Sequence, residues 1–386
     1  MRVHVLALSI KESGGGSHKN CIAIIRALRQ AGHEVVAHTL ISREGAPSDI
    51  VPRFHDAGGL RFLAFNRFLA ALLTELEPEA DRFFLYGPYL SFGAGRYRRE
   101  GRVPCAVYLD NYLESMGVVS SRSSIMHRIS RTLYDRTIGI LDVRRVDRYL
   151  AVSPYVREAF ARAAFPAARL VVVPNFFDLP DATPREPHRP FRFLYVGRLS
   201  RDKGIDTLLR TLAKLSAGKL WDVHIVGEGE RDQEFRELAN ELGLAERVTF
   251  VPWSDERKLE SEYAAADVLV HPARWPEPFG RTIVEAMARA IPVIVPEQGG
   301  SAWAAGEAGL VFHNGKQASL FKAMSVLLSD TEVWKRLSAA GPVRAQAFSR
   351  AAVVPKLIQS LQVQGDLSAR AAFIEEVRER SGKESE

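Results

Sequence analysis

Apolar, strand-like runs alternate with amphipathic helical stretches along almost the whole of this chain, and that alternation admits few architectures. Residues 2–8 read as a buried strand, residues 19–30 repeat apolar side chains at helical spacing up to Gly32, and residues 34–40 are again strand-like. A strand–helix–strand order of this kind requires parallel strands with helices over both faces. Further strands are expected at 83–86, 105–109, 149–152 and 170–173. The stretch 178–190 (DLPDATPREPHRP) breaks the rhythm, being proline-rich and charged without apolar periodicity, and reads as a linker. A second series follows, with strands at 192–196, 222–226, 248–251, 268–271 and 292–295 and helices at 205–215 and 230–242 among those between. The fold class expected is α/β, with two doubly wound, Rossmann-like domains facing across a cleft. Their bounds are 1–177 and 191–350, joined by 178–190 and followed at 351–386 by a helix returning to the N-terminal domain and a charged tail. Ligands of such sheets bind beyond the carboxyl ends of the strands.

Composition supports this division. A chain of 386 residues suits two domains of ordinary size, and 46% hydrophobic with 25% charged residues lets each bury a core. No apolar run approaches the roughly 18–20 residues that span a bilayer. Residues 1–10 are apolar but short and run into Lys11 and a glycine cluster, as a first strand would. Cys21 and Cys105 lie in apolar stretches and are expected to be buried free thiols in a reducing, cytoplasmic compartment. The net charge of +6 is unevenly placed, because residues 1–190 carry 26 Lys and Arg against 19 Asp and Glu. Clusters at Arg96, Arg98, Arg99 and Arg102 and at Arg144, Arg145 and Arg148 are either solvated surface or an attraction to an anionic acceptor or membrane face. Nucleic acid is not expected, since no recognised binding module accompanies the charge.

Four stretches at strand ends carry candidate chemistry. In 195–204 (YVGRLSRDKG) a strand ends at Gly197, and Arg198 and Lys203 project ahead of the next helix. Two cations so spaced can hold a diphosphate and stabilise the charge that builds on its departure. In 277–285 (EPFGRTIVE) Glu285 can accept bidentate hydrogen bonds from ribose hydroxyls, and Glu277 can accept from sugar hydroxyls. Backbone N–H groups near Phe279, Gly280 and Arg281 favour anionic oxygens. Two glutamates at this spacing are, taken alone, as readily surface residues. The run 13–17 (SGGGS) lacks the G-x-G-x-x-G spacing, yet its backbone can approach a phosphate or sugar closely. Gly227-Glu228-Gly229 is a tight turn suited to close approach by a nucleotide.

Together these stretches resemble glycosyltransferase family four, the retaining group with the GT-B fold. The matching features are GRLSRDKG, VGEGE, HPARWPEPFGRTIVEAMA and the later Gly299-Gly300, with Val152-Ser153, Val173-Pro174-Asn175 and Asp178 before the linker. The likeness spans nearly the whole chain and is strongest over 191–310. It implies that Arg198 and Lys203 bind the donor diphosphate, Glu285 the ribose and Glu277 the transferred sugar. Phe279, Gly280 and Arg281 would give main-chain contacts, and Gly15 and Gly16 would face the phosphates from the other domain. The family usually dispenses with metal, and this sequence has no D-x-D. One departure stands out: many relatives carry a His-Asp pair where this chain has Leu109-Asp110-Asn111. Asp110, Asn111 or His18 would then supply polar contacts to sugar or acceptor. The acidic residue common after Gly299-Gly300 is also replaced, by Ala302-Trp303.

The expected function is therefore transfer of a hexose or related sugar from a nucleotide diphosphate sugar to an acceptor hydroxyl with retention, without a metal or other cofactor. No protein nucleophile can be named, so the departing phosphate would take the acceptor proton. A non-catalytic sugar-nucleotide-binding or scaffold protein, and an epimerase or phosphorylase on the same fold, are the competing readings. The acceptor stays open among a glycan, a lipid-linked sugar and a small molecule. The stretch 60–76 (LRFLAFNRFLAALLTEL) reads as a core helix or as one lying on a membrane. Pro252 and Trp253 lie where a nucleobase is expected, but cannot distinguish uracil from guanine. His127 and His224 read as structural or surface residues.

Overall fold

The protein is described here by a computed structural model covering residues 1–112, 138–182, 185–215, 220–253 and 256–362; His127 and the charged tail lie outside these. The chain forms two compact units, each built on one wholly parallel sheet. In the first unit the strands are β1 (Arg2–Ala7), β2 (Glu34–Thr39), β3 (Arg53–Phe54), β4 (Arg82–Tyr86), β5 (Cys105–Leu109), β6 (Arg148–Ala151) and β7 (Leu170–Val172). They lie in the order β3-β2-β1-β4-β5-β6-β7. The second unit contains β8 (Phe191–Val196), β9 (Trp221–Val226), β10 (Val248–Val251), β11 (Val268–Val270), β12 (Val293–Pro296) and β13 (Gly309–Phe312), in the order β10-β9-β8-β11-β12-β13. Helices on both faces explain why β1, β4 and β5 are apolar at nearly every position rather than alternating. The two-residue β3 and the edge strand β13 were not anticipated, and β3 is too short to show a pattern.

Both units are discontinuous in sequence. Among the described residues, 1–151, 157–173 and 355–362 group as the first unit, while 152–156 and 174–354 form the second. The last helix, Arg350–Gln362, therefore returns to the first unit, where the Arg82 guanidinium donates to the Leu361 carbonyl at 2.6 Å. The proline-rich stretch expected to act as a linker is fastened to the second unit. The Asp178 carboxylate accepts two hydrogen bonds from Arg350 at 2.7 and 2.8 Å. Arg185 donates to the carbonyls of Ala264 and Ala266. The buried Asp267 carboxylate accepts from the backbone N–H groups of His188 and Arg192 at 2.8 and 2.7 Å. Side-chain bonds thus replace the ladder that a sequence without periodicity cannot form.

The stretch 60–76 is a core element: helix Phe62–Leu76 buries Phe62, Phe65, Leu69, Leu72, Leu73 and Leu76. Part of the arginine excess is engaged in ion pairs. Arg98 pairs with Asp147 at 2.7 Å, and Arg99 and Arg145 share the buried Asp142 at 2.8 and 3.3 Å. Cys21 and Cys105 are free and buried, and burial pushes both thiols up. Among the described residues no helix is long and apolar enough to cross a membrane.

Three histidines, on β1, on β2 and just past β3, form a hydrogen-bonded string. His4 Nε2 lies 3.2 Å from the Glu79 carbonyl, His38 Nε2 3.0 Å from His4 Nδ1, and His55 Nε2 3.0 Å from His38 Nδ1. A carbonyl only accepts, so His4 must donate from Nε2, and the same tautomer is then forced on His38 and His55. Burial first, then the neighbouring His4, His55 and Arg53, push His38 down to about 3. Burial also lowers His4 and His55, with Glu79 and Glu75 opposing it and Arg2 and Arg53 adding to it. A folded value below the ordinary 6.5 means that the unfolded chain takes up protons first. The contribution to stability is therefore full above about pH 6.5 and falls as the pH drops toward 3. Urea unfolding should show stability declining below pH 6.5 with a slope reaching about 1.4 kcal/mol per pH unit for one such group, and His38→Val should reduce that slope.

Candidate functional site

Each sheet changes winding direction beside its first strand. β8 is flanked by β9 on one side and β11 on the other, so the loops leaving the carboxyl ends of β8 and β11 turn away from each other. The crevice between them is where the second unit collects its chemistry. After β8 the buried Tyr195 hydroxyl donates to the Arg198 carbonyl at 2.8 Å, shaping the turn, and the Arg198 side chain is exposed. A short turn, Arg201–Lys203, ends at Gly204, whose φ of +70° and position 2.1 Å from the Pro272 carbonyl oxygen, measured from where a Cβ would stand, admit only glycine. The Asp202 carbonyl accepts from the backbone N–H groups of Arg274 and Trp275 at 2.8 and 3.2 Å, joining the two loops.

This closure brings Lys203 onto Glu277. The ammonium donates to Glu277 Oε1, and the two side chains keep only 15% and 14% of their surface exposed. The Glu277 loop is held from behind by Gly299-Gly300. Gly300 N–H donates to the Glu277 carbonyl at 2.6 Å, and a Cβ there would stand 2.0 Å from the Pro278 carbonyl oxygen. His271, at the end of β11, places Nε2 4.0 Å from the same Glu277 oxygen. Burial pushes the Glu277 carboxyl up, but the Lys203 ammonium and His271 outweigh it and hold the carboxyl below its ordinary range. Burial drives His271 down to about 4, with Glu277 opposing and Lys203 assisting, so the imidazole is neutral near pH 7.

Glu285 sits one turn into helix Arg281–Met287. Its Oε2 accepts from the Tyr263 hydroxyl at 3.0 Å, and its Oε1 lies 3.7 Å from Arg281. The Arg281 guanidinium covers the Phe177 ring at 4.5 Å, and Phe177 in turn stacks on the buried Phe279. Gly227 lies against the turn after β8, where a Cβ would stand 1.9 Å from the Gly197 carbonyl oxygen, and the Glu228 carbonyl accepts from Leu199 N–H at 2.9 Å. Trp253, beyond β10, keeps 46% of its surface exposed. His224 is tied to Glu262 at 2.6 Å, as a structural residue would be.

The first unit repeats the arrangement, because β1 is flanked by β2 and β4. Beyond β1, β4 and β5 lies a cavity of about 260 Å³ lined by Ser17, His18, Tyr86, Asp110 and Asn111 among others. The three residues weighed as replacements for the family histidine thus share one cavity, while Leu109 is buried in the sheet. Asp110 accepts from the Ser17 hydroxyl at 2.5 Å; burial raises its carboxyl, and that hydrogen bond opposes the rise. Burial lowers His18, with the Ser9 backbone opposing. Gly15 and Gly16 are exposed at the start of helix Gly16–Gln30. Among the described residues no three His, Cys, Asp or Glu side chains come together as metal ligands.

A model of the glycosyl transferases group 1 matches residues 180–344, and a model of glycosyltransferase family 4 matches residues 14–180. The chain belongs to these glycosyltransferases. This glycosyltransferase is 34% identical over 176 residues to the D-inositol 3-phosphate glycosyltransferase of Nocardia farcinica, a match covering 43% of this chain and 39% of that one. It is 31% identical over 169 residues to the lipopolysaccharide core biosynthesis glycosyltransferase LpsE of Rhizobium meliloti, covering 43% and 48%. The chain thus spans less than half the length of these curated relatives. Among solved structures, Anabaena HepE in complex with UDP superposes with a TM-score of 0.73 at 21% identity, over 94% of this chain and 99% of that one. The lipopolysaccharide outer core galactosyltransferase WaaB gives 0.76 at 15% identity, over 93% and 99%. At these identities the likeness shows the shared GT-B fold.

Sequence reasoning on this glycosyltransferase missed His271 and Tyr263. His271 stood inside the quoted HPARWPEPFG run as the last residue of the expected strand 268–271, whereas Tyr263 reads as an ordinary helical residue. Tyr263→Phe leaves one Glu285 oxygen without its partner. Hydrogen bonds to charged groups contribute about 1.5–3 kcal/mol, and partial exposure places this one near about 1.5. Urea unfolding of the variant should register that loss.

Proposed function

We propose that this glycosyltransferase moves a hexose or related sugar from a nucleotide diphosphate sugar to an acceptor hydroxyl with retention of configuration and without a metal. The observation that carries this reading is the meeting of Lys203 and Glu277 beyond β8 and β11, one cation and one carboxylate in a crevice where the sheet reverses. Lys203 and the exposed Arg198 take the diphosphate, and Glu277 takes hydroxyls of the sugar. Glu285, oriented by Tyr263, takes the ribose hydroxyls. The main chain at Phe279, Gly280 and Arg281 adds hydrogen bonds, and the turns at Gly197, Gly227 and Glu228, with Trp253, border the nucleoside. UDP-glucose is bound by Anabaena HepE, which favours a uridine nucleotide here as well. Departing phosphate takes the acceptor proton while Arg198 and Lys203 stabilise its charge.

In the first unit, Asp110, Asn111 and His18 hold hydroxyls of the acceptor or sugar. An acceptor in glycoconjugate synthesis fits relatives that act on an inositol phosphate and a lipopolysaccharide core. Peripheral contact with the cytoplasmic membrane face is supported by the exposed Leu60 and Leu63, which adjoin the exposed Arg61 and Arg67 along the chain.

Calorimetric titration with UDP, GDP, ADP and dTDP in EDTA should show micromolar binding of one nucleotide, lost in Glu285→Ala. Silence for all four would remove the donor-site reading. Loss of a charge contact made in the transition state costs about 2.7–4 kcal/mol, so Arg198→Ala and Lys203→Ala should each lower turnover about a hundredfold or more. Turnover close to wild type in both would end the assignment.

A further inference from the structure

Lys203 is committed before any donor arrives: its ammonium already sits on Glu277 Oε1. A diphosphate that draws the ammonium away leaves a carboxylate with little exposed surface and no counter-charge, and an unpaired buried charge is strongly unfavourable. The group that stands ready is His271. Its Nε2 is buried and has no hydrogen-bond partner, and its backbone is fixed by the bond from its N–H to the Ile294 carbonyl at 2.8 Å. The 4.0 Å from Nε2 to Glu277 Oε1 is about 1 Å longer than a hydrogen bond. The charges facing the ring are Glu277 on its own loop and Lys203 on the loop after β8, with Asp202 beyond at 3.9 Å from the Lys203 ammonium.

Resting on the donor-site reading, we infer that His271 is a positioning residue that replaces Lys203 on Glu277 when the diphosphate takes the ammonium. A neutral ring with the proton on Nε2 donates to Oε1 and keeps the carboxylate charged and aimed at the sugar. No proton need be gained or lost in the exchange, because His271 donates as the neutral imidazole. Lys203 is thereby freed for the diphosphate without collapse of the Glu277 loop.

Two measurements test this. In ligand-free protein, Lys203→Met withdraws the ammonium while keeping the bulk of its stem. NMR of histidine-labelled protein should then show the His271 ring hydrogen-bonded to Glu277, with its titration midpoint moved up from about 4 toward the ordinary histidine range. Ring signals and a midpoint unchanged by Lys203→Met overturn the inference whether or not the protein transfers sugar. The second measurement compares UDP binding by His271→Phe and His271→Gln across pH 5–8. The phenylalanine variant should bind about tenfold more weakly or worse, with its acid limb moved to higher pH, because an unpaired Glu277 takes up a proton. The glutamine variant, which keeps an N–H donor, should restore binding to within about threefold. Equal losses in the two variants with an unmoved acid limb overturn the inference. Failure of wild-type protein to bind any nucleotide removes the donor reading instead, and the NMR result then decides the role of His271 alone.

Discussion

The ion pair between Lys203 and Glu277 is the contact on which the second unit's crevice is organised. It can form only because several backbone conditions are met together. Gly204 must turn with positive φ against Pro272, the Asp202 carbonyl must accept from the loop after β11, and Gly300 must admit the Pro278 carbonyl. A methyl group at either glycine would stand 2.0–2.1 Å from a backbone carbonyl oxygen and push one loop off the other. The glycines are therefore part of the charge chemistry, since they set where it happens. The pair in turn holds the Glu277 carboxyl ionised against a burial that would protonate it.

The same topological rule shapes both units. A parallel sheet wound outward in two directions from its first strand leaves one gap where consecutive loops part, and polar groups placed there are not covered by helices. In the second unit that gap carries Lys203, Glu277 and His271. In the first it carries Ser17, His18 and Asp110 around a cavity of about 260 Å³. Elsewhere in the first unit some of the clustered arginines are engaged with carboxylates, as Arg98 is with Asp147 and Arg99 with Asp142. The distribution of charge along the sequence is thus a poor guide to which cations face a ligand.

The parallel architecture was readable because strands such as β4 and β5 are buried on both faces and carry nearly continuous apolar runs, while the helices between them repeat at a different period. β3 was not readable, having two residues and neighbours on one side only. The stretch 178–190 shows a different limit. Its prolines and charges announce the absence of regular structure correctly, but the partners that pin it, Arg350 and Asp267, lie far along the chain. Composition tells that a segment lacks a ladder and is silent on side-chain anchors. In the candidate site, Arg198, Lys203, Glu277 and Glu285 stood out as charges at strand ends. His271 and Tyr263 did not, because their significance lies in burial and in a partner brought near by folding.

Burying an ion pair is a weak way to stabilise a protein, since the cost of taking two charges out of water consumes most of what their attraction returns. A well-packed apolar pair at positions 203 and 277 would serve the fold as well or better. The presence of these charges, with an imidazole beside them whose buried Nε2 has no hydrogen-bond partner, therefore calls for a reason outside stability. Binding of an anion provides one: an ammonium that can exchange a carboxylate for a phosphate keeps the crevice ordered when empty and complementary when filled. The arrangement also explains why three polar side chains share a space that the rest of the unit fills with Phe193, Leu208 and Val268. A core built for stability alone would have continued that apolar packing to the strand ends, and its interruption there marks the place where folding and function make different demands on the same loops.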